Sequence, residues 1–158
     1  MKRMILVDGN SLMYRAYYAT AASGTISANS KGMYTNAIFG FVRMMNHLLH
    51  SEYDNILVAF DAGKKTIRHE WMQEYKAGRP PMPDEFRMQI AYIKEYLNIM
   101  RIKQYEQPLY EADDIIGTMA KKAEEAGFHV DIYSSDKDLL QLISPNLSLI
   151  HISEPTRP

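Results

Sequence analysis

Carboxylates carry most of the chemistry this chain could do. Asp8, Asp61 and Asp136 each stand at the end of a short apolar run, covering residues 3–7, 55–60 and 128–133. Glu111, Asp113 and Asp114 are grouped in Tyr110-Glu111-Ala112-Asp113-Asp114, and Asp138 follows Asp136 by two positions. Seven acids thus have a route to one place. Such crowding raises carboxylate pKa values unless cations neutralise it. Oxygen-only donors select a hard divalent cation, so Mg²⁺ or Mn²⁺ is expected. On an extended segment Asp136 and Asp138 face the same side and could share a ligand. Asp113 and Asp114 fall at a helix start, where the helix dipole favours their ionised form. Singly, each piece reads as an ordinary turn or cap; the conjunction is what points to a metal centre.

Other candidates are weaker. His47 and His50 have ligand-like spacing but no third nitrogen or sulfur donor near in sequence, and a solvated helix face accounts for them. Gly63-Lys64-Lys65-Thr66 follows a strand, yet Val58 stands where the first glycine of a phosphate loop belongs, so that motif is rejected. Met13, Met33, Met44, Met45, Met88, Met100 and Met119 fall mostly at helical core spacings and read as gap-fillers. From Lys64 to Arg79, six cationic or histidine residues interleave with Trp71 and Tyr75. Alone this reads as a solvated helix; beside a metal cleft it suits a single-stranded nucleic acid, which needs positive charge and stacking rings.

The elements that must position these residues alternate. Residues 3–7, 55–60, 102–106 and 128–133 are strand candidates. Residues 11–20, 35–50, 83–100, 112–126 (closed by Gly127) and 138–142 are helix candidates. Strand–helix alternation predicts an α/β fold with a largely parallel sheet, in which ligands bind at the carboxyl ends of the strands. Residues 21–31 read as a loop and 63–83 as an excursion from the core.

With 158 residues, 46% of them hydrophobic, one domain with a real core is expected. The absence of cysteine excludes disulfides and zinc–thiolate sites and agrees with a reducing cytoplasm. No apolar run approaches the roughly 20 residues of a membrane span, so a soluble chain is expected. The net charge of −1 makes any nucleic-acid argument rest on charge placement.

At these positions the sequence resembles the 5′-nuclease family of 5′-3′ exonucleases and flap endonucleases, and its wording is nearest to the amino-terminal domain of bacterial DNA polymerase I. The resemblance rests on residues 5–11 (ILVDGNS), 59–62 (AFDA), 68–70 (RHE), 75–79 (YKAGR), 110–114 (YEADD) and 135–139 (SDKDL), in family order and spacing. It implies a PIN-like, Rossmann-like sheet flanked by helices, with a helical arch at about 64–83. It also implies a DNA partner bearing a 5′ flap or 5′ end, no nucleotide cofactor, a monomer, and work in replication and repair. By the same resemblance Asp8, Asp61 and Asp113 hold the tighter cation, supported by Glu111 and Asp114, while Asp136 and Asp138 reach a second. Arg15, Arg68, Tyr75, Lys76 and Arg79 are implied to contact DNA. Lys76 and Arg79 are implied to join Asp8 and Asp61 in two-metal phosphodiester hydrolysis.

Past residue 147 the resemblance is not recognised. Neither the family's further strand, nor its Gly-Asp-x-Ser-Asp-Asn motif, nor its helix-hairpin-helix is found. Residues 148–158 (SLIHISEPTRP) resemble translated sequencing-adapter read-through. Expected, then, are a nuclease unit over 1–147, a foreign tail, an incomplete second metal site and weakened or absent cleavage. Sequencing the locus across codon 147 checks the tail. Two other readings compete: a fragment that binds metal and single strands without cutting, and another Mg²⁺-dependent phosphoryl-transfer enzyme of the Toprim or haloacid-dehalogenase kind. The last needs Asp-x-Asp after the first strand, where Asp8-Gly9-Asn10 stands.

Overall fold

The computed structural model describes residues 1–22, 28–62, 82–142 and 144–152. In chain order the elements are β1 (Arg3–Asp8), α1 (Gly9–Ala22), α2 (Asn36–Leu49), β2 (Asn55–Ala59), α3 (Asp84–Ile99), β3 (Lys103–Tyr105), α4 (Ala112–Glu125), β4 (His129–Ser134), a 3-10 helix (Lys137–Leu142) and β5 (Leu147–His151). The strands form one sheet in the order β3-β2-β1-β4-β5, and every pairing is parallel. The predicted boundaries of the first four strands and the helices hold to within one or two residues. One strand was not expected: residues 147–151, of which 148–151 were read as the start of a foreign tail, pair with β4 from Val130↔Leu147 to Ser134↔His151.

The central strands are buried on both faces, which is why they read as continuous apolar runs. Ile5, Val7 and Val58 pack against Leu12, Met13, Phe41, Phe86 and Ile93 from α1, α2 and α3. Leu6, Ala59, Val130 and Ile132 pack on the other side against Ile115, Ile116 and Ala120 of α4. Among the methionines, Met13 and Met45 belong to the core, but Met88 and Met100 are exposed, contrary to the gap-filling reading. His47 and His50 lie exposed on α2 and its end, as expected.

Chain order explains the sheet order. From β1 the chain moves outward to β2 and β3, then returns through α4 to β4 on the opposite side of β1. The direction of winding reverses between β1 and β4, and a crevice opens at the carboxyl ends of strands at such a point.

Gln89 of α3 joins two helices through a fully buried amide. Its Oε1 accepts from the Ala37 and Ile38 backbone N–H groups at 2.8 and 3.1 Å, capping the start of α2. Its Nε2 donates to Asn36 Oδ1 at 3.0 Å and to the Glu85 carbonyl at 2.6 Å. Thr35, at the N-cap position, makes no side-chain cap, so Gln89 supplies from α3 what that residue does not. Gln89→Leu removes partners from buried polar groups costing about 1–3 kcal/mol each. We expect a loss of roughly 3 kcal/mol in urea unfolding; a loss below about 0.5 kcal/mol contradicts this role.

Candidate metal centre

Asp8 is the last residue of β1 and the cap of α1, only 7% exposed. Its Oδ1 accepts from the Ser11 N–H at 3.1 Å; its Oδ2 accepts from Ser11 Oγ at 2.8 Å and Ser134 Oγ at 2.9 Å. Burial raises the Asp8 pKa, the Ser11 and Ser134 hydrogen bonds oppose this, and the Asp61 charge adds to the rise. The helix begins at Gly9 directly, two residues before the predicted start at residue 11. A side chain at Gly9 would place its Cβ 2.5 Å from the Phe60 ring. The end of β2 therefore packs on the first turn of α1, which keeps Asp61 close to Asp8.

Asp61 follows β2 by two residues. Its N–H donates to Asn10 Oδ1 at 2.8 Å, and its Oδ1 accepts from the Ala112 N–H at 2.7 Å, the first residue of α4. Glu111 caps that helix in a reciprocal capping box with Asp114, whose Oδ2 accepts the Glu111 N–H at 3.0 Å. Glu111 is 5% exposed. Asp113 projects from the first turn beside Asp136. Burial, a hydrogen bond with Asp136 and the charges of Glu111, Asp114 and Asp136 push its pKa up to about 8. This corrects the expectation that the helix dipole keeps Asp113 ionised: the dipole is worth at most about 2 kcal/mol, and burial among like charges outweighs it.

Asp136 and Asp138 do not share an extended segment. The chain turns at Asp136, whose Oδ1 accepts the Asp138 N–H at 2.9 Å, and Asp138 lies in the 3-10 helix. Both still line one cleft of about 480 Å³ with Asp113, Asp114, Thr118 and Gln141. The acids thus reach one edge as two linked groups: Asp8 with Asp61 in the crevice, and Asp113 and Asp114 with Asp136 and Asp138 along the cleft. Among the described residues, no three acid or histidine side chains are spaced to hold a metal ion as they stand. The donor set nevertheless fits a hard divalent cation. Every donor is an oxygen, and a cation relieves the crowding that leaves Asp113 protonated toward Asp136.

Arg15 lies on α1, partly buried. Arg68, Tyr75, Lys76 and Arg79, with nearly all of the expected arch, fall outside the described residues. Asn10, Ser11, Ser134 and Ser135 join the site without having been expected there from the sequence. The available signal was a pair of small polar residues within three positions of Asp8 (Asn10, Ser11) and of Asp136 (Ser134, Ser135).

The protonation of Asp113 has a measurable sign. In the folded chain this carboxyl keeps its proton to about pH 8, whereas unfolded Asp loses it near pH 3.8. The folded state binds more protons between those values, so without divalent cations stability falls as pH rises from about 4 to about 8. Urea unfolding in a chelator is expected to show lower stability at pH 8 than at pH 5, with Asp113→Asn flattening the slope. An unchanged slope in Asp113→Asn contradicts the assignment.

Solved structures share this architecture. A bacteriophage T5 D15 flap endonuclease, in a pseudo-enzyme-product complex with DNA and metal ions, superposes with a TM-score of 0.68 at 22% identity, over 95% of this chain and 55% of that one. T5 5′-exonuclease with bound zinc superposes with a TM-score of 0.62 at 20% identity, over 95% and 55%. The fold is therefore PIN-like, a parallel sheet flanked by helices. The family model for the 5′-3′ exonuclease N-terminal resolvase-like domain matches residues 3–157, and the chain belongs to that family. DNA polymerase I of Bacillus caldotenax is 48% identical over 149 residues, 94% of this chain and 16% of the relative. The 5′-3′ exonuclease of Aquifex aeolicus is 45% identical over 152 residues, 96% of this chain and 51% of the relative. The chain thus spans about a sixth of the polymerases and half of the exonuclease. Among the described residues no helix is long and apolar enough to cross a membrane.

Proposed function

We propose that this chain is the cation-holding part of a 5′-nuclease that hydrolyses DNA phosphodiester bonds at 5′ ends and flaps, in the cytoplasm, as primer removal and repair require. The observation that carries this reading is the delivery of Asp8, Asp61 and Asp136 by three adjacent parallel strands to one edge, met there by the acid-rich start of α4. The named relatives and the T5 complex with DNA and metal ions support it by likeness.

In this reading Asp8, Asp61 and Asp113 hold the tighter of two divalent cations, Mg²⁺ or Mn²⁺, with Glu111 and Asp114 in support. Asp136 and Asp138 serve the second. Bound cations supply an activated water and charge stabilisation of the leaving oxygen. The protein's own groups do the rest. Ser11, Ser134 and Asn10 fix the carboxylates of Asp8 and the backbone of Asp61. Arg15, Arg68 and Tyr75 hold the DNA strand. Lys76 and Arg79 place positive charge against the reacting phosphate, where charge builds in the transition state. The chain acts as a monomer.

The test is a 5′-labelled flap substrate incubated with Mg²⁺, Mn²⁺ or Ca²⁺. Cleavage near the flap junction or 5′ end with Mg²⁺ or Mn²⁺, lost in Asp61→Ala, is expected. Binding without cleavage under every cation favours the non-cleaving reading instead.

A further inference from the structure

Four small polar side chains tie the acid-bearing strand ends together. Ser134 Oγ, fully buried at the end of β4, donates to Asp8 Oδ2 at 2.9 Å while accepting the Asp136 N–H at 3.0 Å. Ser11 Oγ, on α1, lies 2.8 Å from both Asp8 Oδ2 and Ser135 Oγ and accepts the Ser135 N–H at 3.2 Å. Asn10 holds the Asp61 N–H. One hydroxyl therefore touches the carboxylate of the first group of acids and the backbone of the second, across the crevice between β1 and β4.

From this bridge we propose that Ser134, with Ser11 beside it, is a positioning residue that couples the Asp8 carboxylate to the turn bearing Asp136, so that a cation bound at one finds the other already aligned. The proposal rests on the metal reading given above. The reason is geometric. Asp8 Oδ2 receives two hydroxyl donors on one side, which fixes the rotation of the carboxylate and leaves its remaining lone pair in a set direction. The Asp136 N–H, bonded to Ser134, fixes the chain where it leaves β4 and turns into the 3-10 helix. Groups that orient metal ligands in this way typically matter by about 10–100-fold in metal affinity. Removing a hydroxyl from a buried site leaves little to collapse, so the fold is expected to survive.

The experiment measures Mn²⁺ affinity calorimetrically, and backbone amide exchange without metal, in the unsubstituted protein, Ser134→Ala, Ser11→Ala and Ser11→Thr. Ser134→Ala is expected to weaken Mn²⁺ binding about 10-fold or more and to speed exchange of the Asp136 amide while exchange in the core of α1 and α2 is unchanged. Ser11→Ala is expected to weaken binding and speed the Ser135 amide, and Ser11→Thr, which keeps the hydroxyl, to restore both. Mn²⁺ binding by the unsubstituted protein that Ser134→Ala leaves unchanged overturns the coupling alone. Failure of the unsubstituted protein to bind Mn²⁺ overturns the metal reading and the coupling with it. Should Ser134→Ala speed exchange everywhere, the Ser11 pair decides: weakened binding restored by threonine supports the coupling, and unaffected binding overturns it.

Discussion

Replacing Asp8 by asparagine is expected to abolish divalent-cation-dependent cleavage while leaving the metal-free protein as stable as before, or more so. The two effects have one origin. Asp8 is buried at the sheet's centre, and burial pushes its pKa up; a charge kept there costs free energy that a neutral amide does not. Asparagine can still accept the Ser11 N–H, and its amide can donate to the hydroxyl oxygens of Ser11 and Ser134, which can reorient. What it cannot do is supply a formal negative charge to a cation. Loss of several kcal/mol of transition-state stabilisation corresponds to roughly a thousand-fold or more in rate. The check is a flap-cleavage rate beside a thermal unfolding curve in chelator. Cleavage within about tenfold of the unsubstituted rate removes Asp8 from the metal centre, because the loss then falls short of what a ligand contributes.

The largest structural effect is expected from Phe86→Ala. Phe86 is fully buried in the first turn of α3; it stacks on Tyr17 with ring centres 4.6 Å apart and meets Tyr14 edge-on at 5.1 Å. Tyr17 also donates its hydroxyl to Glu85 Oε1 at 3.1 Å, so α3 is fastened to α1 by a ring pair and a polar contact side by side. Truncation of a buried phenylalanine costs about 3–5 kcal/mol, a large share of the roughly 5–15 kcal/mol that holds a domain together. A drop in melting temperature of about 10 °C follows for a domain of this size. A drop below about 3 °C would mean the aromatic cluster is not what joins the two helices.

Much of the fold was legible because the strands are buried on both faces and spell out as apolar runs that each end in an acid. The strand 55–59 and the helix 84–99 needed no tertiary knowledge. Helix ends were legible where glycine marks them. Gly127 takes a φ of +89°, and the Gly127 and Phe128 N–H groups bond back to Glu124 and Ala123 in a Schellman motif. α3 ends in the same motif with Arg101 at a φ of +56°, an ending that arginine does not announce. The strand at 147–151 was missed because the wording from Ser148 onward reads as foreign, whereas pairing with β4 asks only for an extended segment with Leu147 facing the core.

At the site, residue identity was legible and environment was not. The helix-dipole argument for Asp113 is local, while its burial beside Asp136 depends on β4 and α4 meeting across 23 positions of sequence. Ser134 carries no local mark of its role, since nothing near it in sequence reveals that the neighbouring strand carries Asp8. The two groups of acids are likewise a tertiary fact: Asp136 was expected to continue a straight segment, and its own side chain instead caps the turn.

A metal centre at this edge requires that its carboxylates take up divalent cations. Crystals of the protein soaked in Mn²⁺ give an anomalous difference signal at bound manganese. A peak about 2.1 Å from carboxylate oxygens of Asp8, Asp61 or Asp113 is the predicted result. No peak on that edge at millimolar Mn²⁺, or peaks only elsewhere on the surface, would contradict it.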